Sequence, residues 1–474
     1  MKLLLTTIIM FALLGQSSLG GNQSVTKAGR HIIDEANTQP VVKEKIVIDH
    51  VWSGHPVGFS LMTHDERQYV AYYNKDRQMV CGMRLLTESQ FTLAVVKSKL
   101  DRPAKTGRDE SSTILGWDSH NSIKMAVDQN GYIHLAGNMH VNRLTYFRTT
   151  KPYDITTFKQ VDAMVGKNER RCTYPKFMHA PNGNLVFHYR DGSSGNGSEI
   201  YNIYDTKTET WQRLLDTPLA DGLGKMNAYI NGPVQGPNGF YHASWVWRNT
   251  FDCATNHDLS YAKSKDLVHW QTAGGKPLTL PITINDTEVI VDPIPVSGGI
   301  INGNGQIGFD VNGQAVLTYH KFDGNGKTQI YTARYEKDQW RIYQVTDWDY
   351  RWFFSGGGSI ESYDVKVGRI GVKDDMLILD YRNKKHGAGR WLLDNERFRI
   401  VGKTKKEKTV PSVIQKTIST FPGMGVRWTS DSGKAVDGSR YLLRHETLGR
   451  NRDRPRTGLL PKASELVLFL VVSK

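Results

Sequence analysis

An all-β chain is predicted by three observations. Short runs alternate apolar with polar residues and are rich in aromatic and β-branched types. Helical periodicity is almost absent. Polar turns, several of them Asn-Gly, recur about every 62 residues. The recurring units are HDERQYVAYYN from His64, DQNGYIHLAGN from Asp128, APNGNLVFHYR from Ala180, GPNGFYHASWV from Gly236, DVNGQAVLTYH from Asp310, KDDMLILDYR from Lys373 and VDGSRYLLRHE from Val436. An Asn-Gly pair between two alternating runs is the strongest short-range hairpin signal. After several units comes a second strand with a Tyr, a polar turn and a terminal aromatic: LTYFRTTKPYDITTF, IYNIYDTKTETW, LSYAKSKDLVHW and IYTARYEKDQW. That aromatic is expected to pack between neighbouring sheets. Together these features predict a seven-bladed β-propeller of four-stranded antiparallel blades. A row of stacked sandwiches is disfavoured by the constant order of the units.

In chain order, residues 1–20 read as a secretory signal peptide: one Lys, an apolar run, then small residues, too short and wrongly flanked for a membrane anchor. No Cys follows the apolar run, as a bacterial lipid anchor would need. Residues 21–474 then form a single propeller domain, because no Pro/Gly/Ser-rich or charged linker divides them. The expected location is extracellular or periplasmic, and the expected state a monomer. The three cysteines, Cys81, Cys172 and Cys253, argue against a disulfide framework and leave at least one thiol unpaired or bound to something else. Lys plus Arg outnumber Asp plus Glu by 61 to 47, a net charge of +14. With no basic tail and no nucleic-acid motif, the dispersed charge points to an acidic extracellular partner, a polysaccharide before a nucleic acid. The basic segment KTKKEK from Lys403 reads as a solvated loop.

The chemistry-bearing stretch is 116–140, GWDSHNSIKMAVDQNGYIHLAGNMH. Its Asn-Gly turn folds the ends toward each other, so His120 with Asn121 at one end and His140 at the other meet at one rim. Two imidazoles and an amide there suit proton transfer or anion binding, although a lone His is more often a solvated strand cap. The third unit adds His188 and Arg190 on one face of a strand, with Tyr174 one strand earlier in RRCTYP. The fourth adds His242, Cys253 and His257.

These residues divide into two sets. His188, His242, Cys253 and His257 are three imidazoles and a thiol from adjacent repeats, a set suited to a closed, structural Zn²⁺ site. The bland alternative is a buried Cys among ordinary His. His120, His140, Tyr174 and Arg190 suit acid–base work on a sugar acid. Removing the proton α to a uronate carboxylate needs a cation on the carboxylate, a base at C5 and an acid at the leaving O4. Arg190 can pair bidentately with a carboxylate, or else hold an Asp; Tyr174 can exchange a proton, or else pack in a blade.

The ordered motifs SHNS, GNMH, RCTYP, FHYR, YHASWVWR and CATNH resemble those of the propeller-fold ulvan lyases, a polysaccharide lyase group among the BNR-like repeat proteins. The specific motifs cover roughly residues 116–260, and the layout the rest. The resemblance implies a secreted carbon–oxygen lyase that cleaves sulfated rhamnose–uronic acid polymers by β-elimination and leaves an unsaturated uronate end. It implies His120 and Tyr174 as base and acid in either order, Arg190 and His140 on the carboxylate, and zinc on His188, His242, Cys253 and His257. Asn121, Tyr229, Asn231 and Arg248 would contact substrate.

Two other classes remain open on the sequence. A sialidase-like glycoside hydrolase is suggested by SKDLVHW from Ser264, but it needs paired carboxylates, or an Arg triad with a nucleophilic Tyr, and Asp118, Asp191, Asp252 and Asp310 show no motif that pairs them. A non-catalytic propeller would bind a polyanion through the same basic mouth, since the fold hosts both roles.

Overall fold

The turns predicted from sequence are where the chain reverses. In the computed structural model, which describes residues 40–433, 435 and 439–473, the Asp128 carboxylate accepts the backbone N–H groups of Asn130 and Tyr132 at 2.9 and 3.0 Å. Asp310 does the same for Asn312 and Gln314, both at 2.9 Å. Side-chain carboxylates thus hold these turns by local hydrogen bonds in addition to the ladder. Gly131 is required at the first of them: its φ is +83°, and a Cβ there would lie 2.4 Å from the Tyr153 ring.

Each recurring turn joins the first two strands of an antiparallel sheet, and among the described residues seven sheets follow in chain order. The hairpins are Ser60–His64 with Arg67–Tyr73, Lys124–Val127 with Ile133–Ala136, Cys172–His179 with Leu185–Ser193, Asn227–Gln235 with Tyr241–Arg248, Gln306–Phe309 with Ala315–Phe322, Gly371–Lys373 with Met376–Asn383, and Met424–Ser430 with Arg440–Leu448. Part of the last turn, 436–438, lies outside the described residues, as does the predicted signal peptide 1–20. The only α-helix among the described residues is the single turn Ser412–Gln415, and no helix is long and apolar enough to cross a membrane.

Four sheets have the expected four strands, and three depart from that number. His140–Asn142 leaves the second hairpin and pairs with Cys172–His179, so it extends the third sheet. Ile290–Asp292 adds to the fourth sheet. In the sixth, the first strand is split into Val365–Val367 and Gly371–Lys373, both on Met376–Asn383. The seventh sheet joins the two ends of the described chain, because Pro40–Val51 pairs with Ser464–Ser473 along its length. Antiparallel partners from opposite ends of the sequence leave neither terminal strand as a free edge on that side.

Aromatics from the outer strands fill the space between successive sheets, as expected. Trp211 of the third sheet lies 6.0 Å from Tyr146 of the second and donates its indole N–H to that hydroxyl at 3.0 Å. Trp340 of the fifth sheet meets Tyr261 of the fourth edge-on at 5.2 Å. Edge-to-face packing places the positive ring edge on a negative face and adds to the burial of the rings themselves. The three cysteines are buried and unpaired.

The closing strand offers a check on this architecture. Leu468 is 1% exposed and lies opposite both Ile46 and Leu443. Leu468→Ala is expected to destabilise the protein by about 2–4 kcal/mol, read as a lower midpoint in urea unfolding.

Candidate active site

His120, His140, Tyr174 and Arg190 come together. The two imidazoles are 4.3 Å apart between ring centroids, and Tyr174 lies 5.9 Å from His120 and 5.8 Å from His140. The Arg190 guanidinium lies 5.0 Å from the Tyr174 ring and 5.5 Å from that of Tyr229.

Local sequence explains each placement. Asp118 and His120 close a tight turn in which the Asp118 carboxylate accepts both the His120 backbone N–H, at 2.9 Å, and its Nδ1, at 2.8 Å. His140 opens the short strand that moves to the third sheet, and Val141 beside it has φ +62°, a left-handed conformation that a β-branched residue rarely adopts. Tyr174 also has positive φ, +56°. It stands where the ladder between Cys172–His179 and Leu185–Ser193 slips between Thr173 and Lys176, and Pro175, which has no N–H to give a ladder, occupies the bulge. Backbone held in such conformations is stored strain of the kind found at functional sites.

Asp118 is the residue that organises the pair. Its Oδ1 takes His120 Nδ1 and its Oδ2 takes His140 Nδ1 at 2.5 Å. A second carboxylate, Asp453, sits 3.2 Å from the same His120 nitrogen and accepts from Ser119 and from the Ser359 backbone N–H. Burial opposes charge on His120, but its bonds to Asp118 and Asp453 outweigh it and push its pKa up to about 9. His140 goes the other way, held below its ordinary value by burial and by the neighbouring His120 and Arg190 charges, despite Asp118. Both carboxyls stay well below the usual range: burial works against this, but the imidazole bonds prevail. Burial and Tyr229 raise the Tyr174 phenol above its ordinary value, against the pull of Arg190 and Arg248, so it keeps its proton.

Arg190 is 1% exposed, and none of its three guanidinium nitrogens has a hydrogen-bond partner among the described residues. A buried cation without an acceptor is costly unless a ligand supplies one. It lines a cavity of about 270 Å³ with Tyr174, Lys176, His188, Tyr229 and Asn231. His120, His140, Tyr174, Tyr229, Arg248 and Cys253 line a smaller one of about 80 Å³, and Asn302 is common to both.

The other expected contacts are mixed. Tyr229 lines both cavities, with its hydroxyl 2.7 Å from that of Ser194. Asn231 lines the larger one but donates its amide to the Asn304 carbonyl. Arg248 lines the smaller one while its guanidinium is bonded to the Thr250 and Phe251 carbonyls and the Asn302 side chain. Asn121 is buried beside His120, where its backbone carbonyl receives the Tyr73 hydroxyl.

The expected zinc set does not assemble. In the ladder between Tyr241–Arg248 and Asn256–Ser264, His242 faces Lys263 whereas His257 faces Trp247. Five residues of strand, about 17 Å, separate them, while two ligands of one zinc lie within about 5 Å of each other. The ring nitrogens of both are occupied, His242 by Tyr261 and Asn238, His257 by Asp258 and Asn249. His188 stacks on Tyr201 in the third sheet, and Cys253 borders the His120 cavity instead. The sequence spacing carried no information on register, and register decides the matter. Among the described residues, the group whose metal-capable atoms lie within 4.8 Å of one another is Asp118, His120 and His140. The hydrogen bonds of one carboxylate to two ring nitrogens account for that proximity.

A family model described as a BNR repeat-containing family member matches residues 67–348. The chain belongs to the BNR repeat-containing family. An ulvan lyase, long isoform, of Alteromonas sp is 24% identical over 358 residues, 62% of this chain and 35% of the relative. Another long isoform, from Pseudoalteromonas sp. (strain PLSV), is 29% identical over 137 residues, 27% of this chain and 14% of that protein. The chain thus spans well under half the length of either. In three dimensions this BNR repeat chain is similar to polysaccharide lyase Uly1, with a TM-score of 0.56, 14% identity and coverage of 91% of this chain and 99% of that one. A PL25 ulvan lyase bound to -[GlcA(1-4)Rha3S]- gives 0.54 at 14% identity over 90% and 96%. These likenesses establish a shared fold.

Asp118 stands in the sequence two residues before His120, the spacing of a side chain that caps its own turn, and that signal was readable. Asp453 is 333 residues from His120, and no local pattern points to it. The His120 pKa in the folded protein lies above its unfolded value of 6.5, so its contribution to stability is full below about 6.5 and is lost as pH rises through about 9. Thermal midpoints measured from pH 6 to 9.5 are expected to fall over that interval, with a flatter decline in Asp118→Asn.

Proposed function

We propose that the protein is a secreted polysaccharide lyase of seven-bladed propeller form that cleaves ulvan-type sulfated rhamnose–uronic acid polymers by β-elimination. The observation that carries this reading is Arg190: a buried guanidinium with no hydrogen-bond partner among the described residues, opening onto a cavity beside two imidazoles and a phenol. A uronate carboxylate satisfies it in two parallel bonds and is neutralised as charge develops at C5. The seven sheets, each begun by a repeat hairpin, and the pairing of the two terminal strands support seven blades closed as a ring. The ulvan lyases similar in sequence and in fold support the substrate class.

The charge states support one assignment of the steps. His140, neutral and donating Nδ1–H to Asp118, presents the Nε2 lone pair as the base for the C5 proton. Tyr174, still protonated, gives its proton to the departing O4. His120, an imidazolium held by Asp118 and Asp453, joins Arg190 as a fixed positive charge for the enolate-like intermediate. This exchanges the two imidazole roles implied by the family resemblance, because His120 has two carboxylates and His140 shares only one. Asp118 and Asp453 are both held ionised, so neither has a proton for the leaving group of a glycoside hydrolase. Glu199, which stands opposite Arg190 in the ladder and lines the same cavity, is raised by burial to about 7 and can carry one, so the product formed, unsaturated or not, decides between the two classes.

Incubation with ulvan is expected to produce an unsaturated end absorbing in the short ultraviolet; new reducing ends without that absorbance would sink the proposal. Tyr174→Phe and His140→Gln are each expected to lower kcat by about 10²–10⁴-fold with the fold intact by circular dichroism. The alkaline limb of kcat/KM is expected near pH 9 and is expected to move to lower pH in Asp453→Asn, which removes one of the carboxylates that raise His120.

A further inference from the structure

A third, larger cavity of about 720 Å³ adjoins the candidate site, and Asn302, Tyr363 and Arg450 line both it and the small cavity at His120. The part of its wall that comes from the sixth and seventh sheets and the loop after Arg440–Leu448 carries Lys366, Arg382, Arg427 and Arg450. Lys366 and Arg382 stand directly opposite each other in the ladder between Val365–Val367 and Met376–Asn383. Like charges in that position destabilise a sheet. Burial and the three arginines, Arg382, Arg450 and Arg427, all lower the Lys366 pKa. Of the nearby carboxylates, Asp380 is taken by Arg390 and Lys406 and Asp364 by the Tyr350 hydroxyl and Lys384, while Glu361 lines the cavity, exposed, without an ion pair to any of the four cations. Among the described residues no carboxylate pairs with any of the four cations, while Arg190 and its imidazoles belong to a separate wall. In the same cavity the Trp428 side chain is 43% exposed, an indole left in water where a flat sugar face can cover it.

We propose that Lys366, Arg382, Arg427 and Arg450, with the Trp428 indole, form a subsite that binds an oxyanion of the polymer, a sulfate ester or a carboxylate, on a sugar unit beyond the one held at Arg190. The polymer's identity rests on the lyase reading. The mutual repulsion of the four cations rests on the structure alone, and a bound anion relieves it. Because the subsite joins the reacting centre through Asn302, Tyr363 and Arg450, it holds the chain in register without touching the groups that move protons.

The test compares the full chain with Arg382→Gln, Arg427→Gln and their double variant, all at exposed positions, together with Lys366→Gln as an independent variant; melting temperatures verify the fold of each. The double variant is expected to raise KM, and the Kd for ulvan fragments, about tenfold, leaving kcat within about twofold and weakening the salt dependence of binding. The ratio of variant to parent Kd, repeated on desulfated and on carboxyl-reduced ulvan, is expected to return to about one on whichever polymer lacks the bound group. A ratio near one on unmodified ulvan for both the double variant and Lys366→Gln overturns the subsite. Failure of the lyase reading would show differently, as a parent protein that binds ulvan and dextran sulfate but yields no unsaturated product; the same Kd ratio on those two polymers then still decides the subsite.

Discussion

One carboxylate, Asp118, bridges two imidazoles, and the chemistry available at the site follows from that sharing. Two rings bonded to one anion at 4.3 Å from each other do not readily both carry a proton. Asp453 breaks the symmetry by adding a second negative charge on the His120 side only. The outcome is a cationic imidazole next to a neutral one, the combination that an enzyme working on a sugar acid requires: a fixed charge for the carboxylate and an open lone pair for the proton.

The fold supplies the means of bringing these groups together. Asp118 and His120 precede the second hairpin, and His140 follows it on a strand that crosses to the third sheet. Tyr174 and Arg190 belong to that third sheet, one on a bulge and one in mid-strand. Asp453 arrives from the loop between the last two long strands of the chain. Side chains from four parts of the sequence converge because each sheet begins with a hairpin whose first strand lies against that of a neighbour. The strain at Tyr174 and Val141 is tolerated because ladder bonds and packed aromatics on both sides over-determine the backbone there.

Positive charge is unevenly covered. At the surface, lysines and arginines have partners such as Asp349 for Lys385 and Glu209 for Arg148. In two of the cavities that meet at Asn302 the cover is thinner: among the described residues Arg190 has no hydrogen-bond partner in one, and Lys366, Arg382, Arg427 and Arg450 make no ion pair in the other. The net charge of +14 is therefore informative less as a total than through the places where it stands unpaired. An acidic polymer threaded past Asn302 would meet both.

Much of this was legible in the chain itself. Turn residues act locally, so the seven hairpins, the strand alternation and the outer aromatics at Trp211 and Trp340 were readable, and so was the meeting of His120 with His140 across a short turn. Strand register and the crossing of a strand between sheets are set by packing over long range, and there the sequence was silent or misleading. It placed His242 and His257 on one metal although the ladder holds them apart, and it left Asp453 unnoticed although that residue decides which imidazole is charged. Composition and local turn chemistry determined the class of fold and most of the candidate residues; only the tertiary structure decided their partners and protonation, because burial and through-space charge have no counterpart in sequence distance.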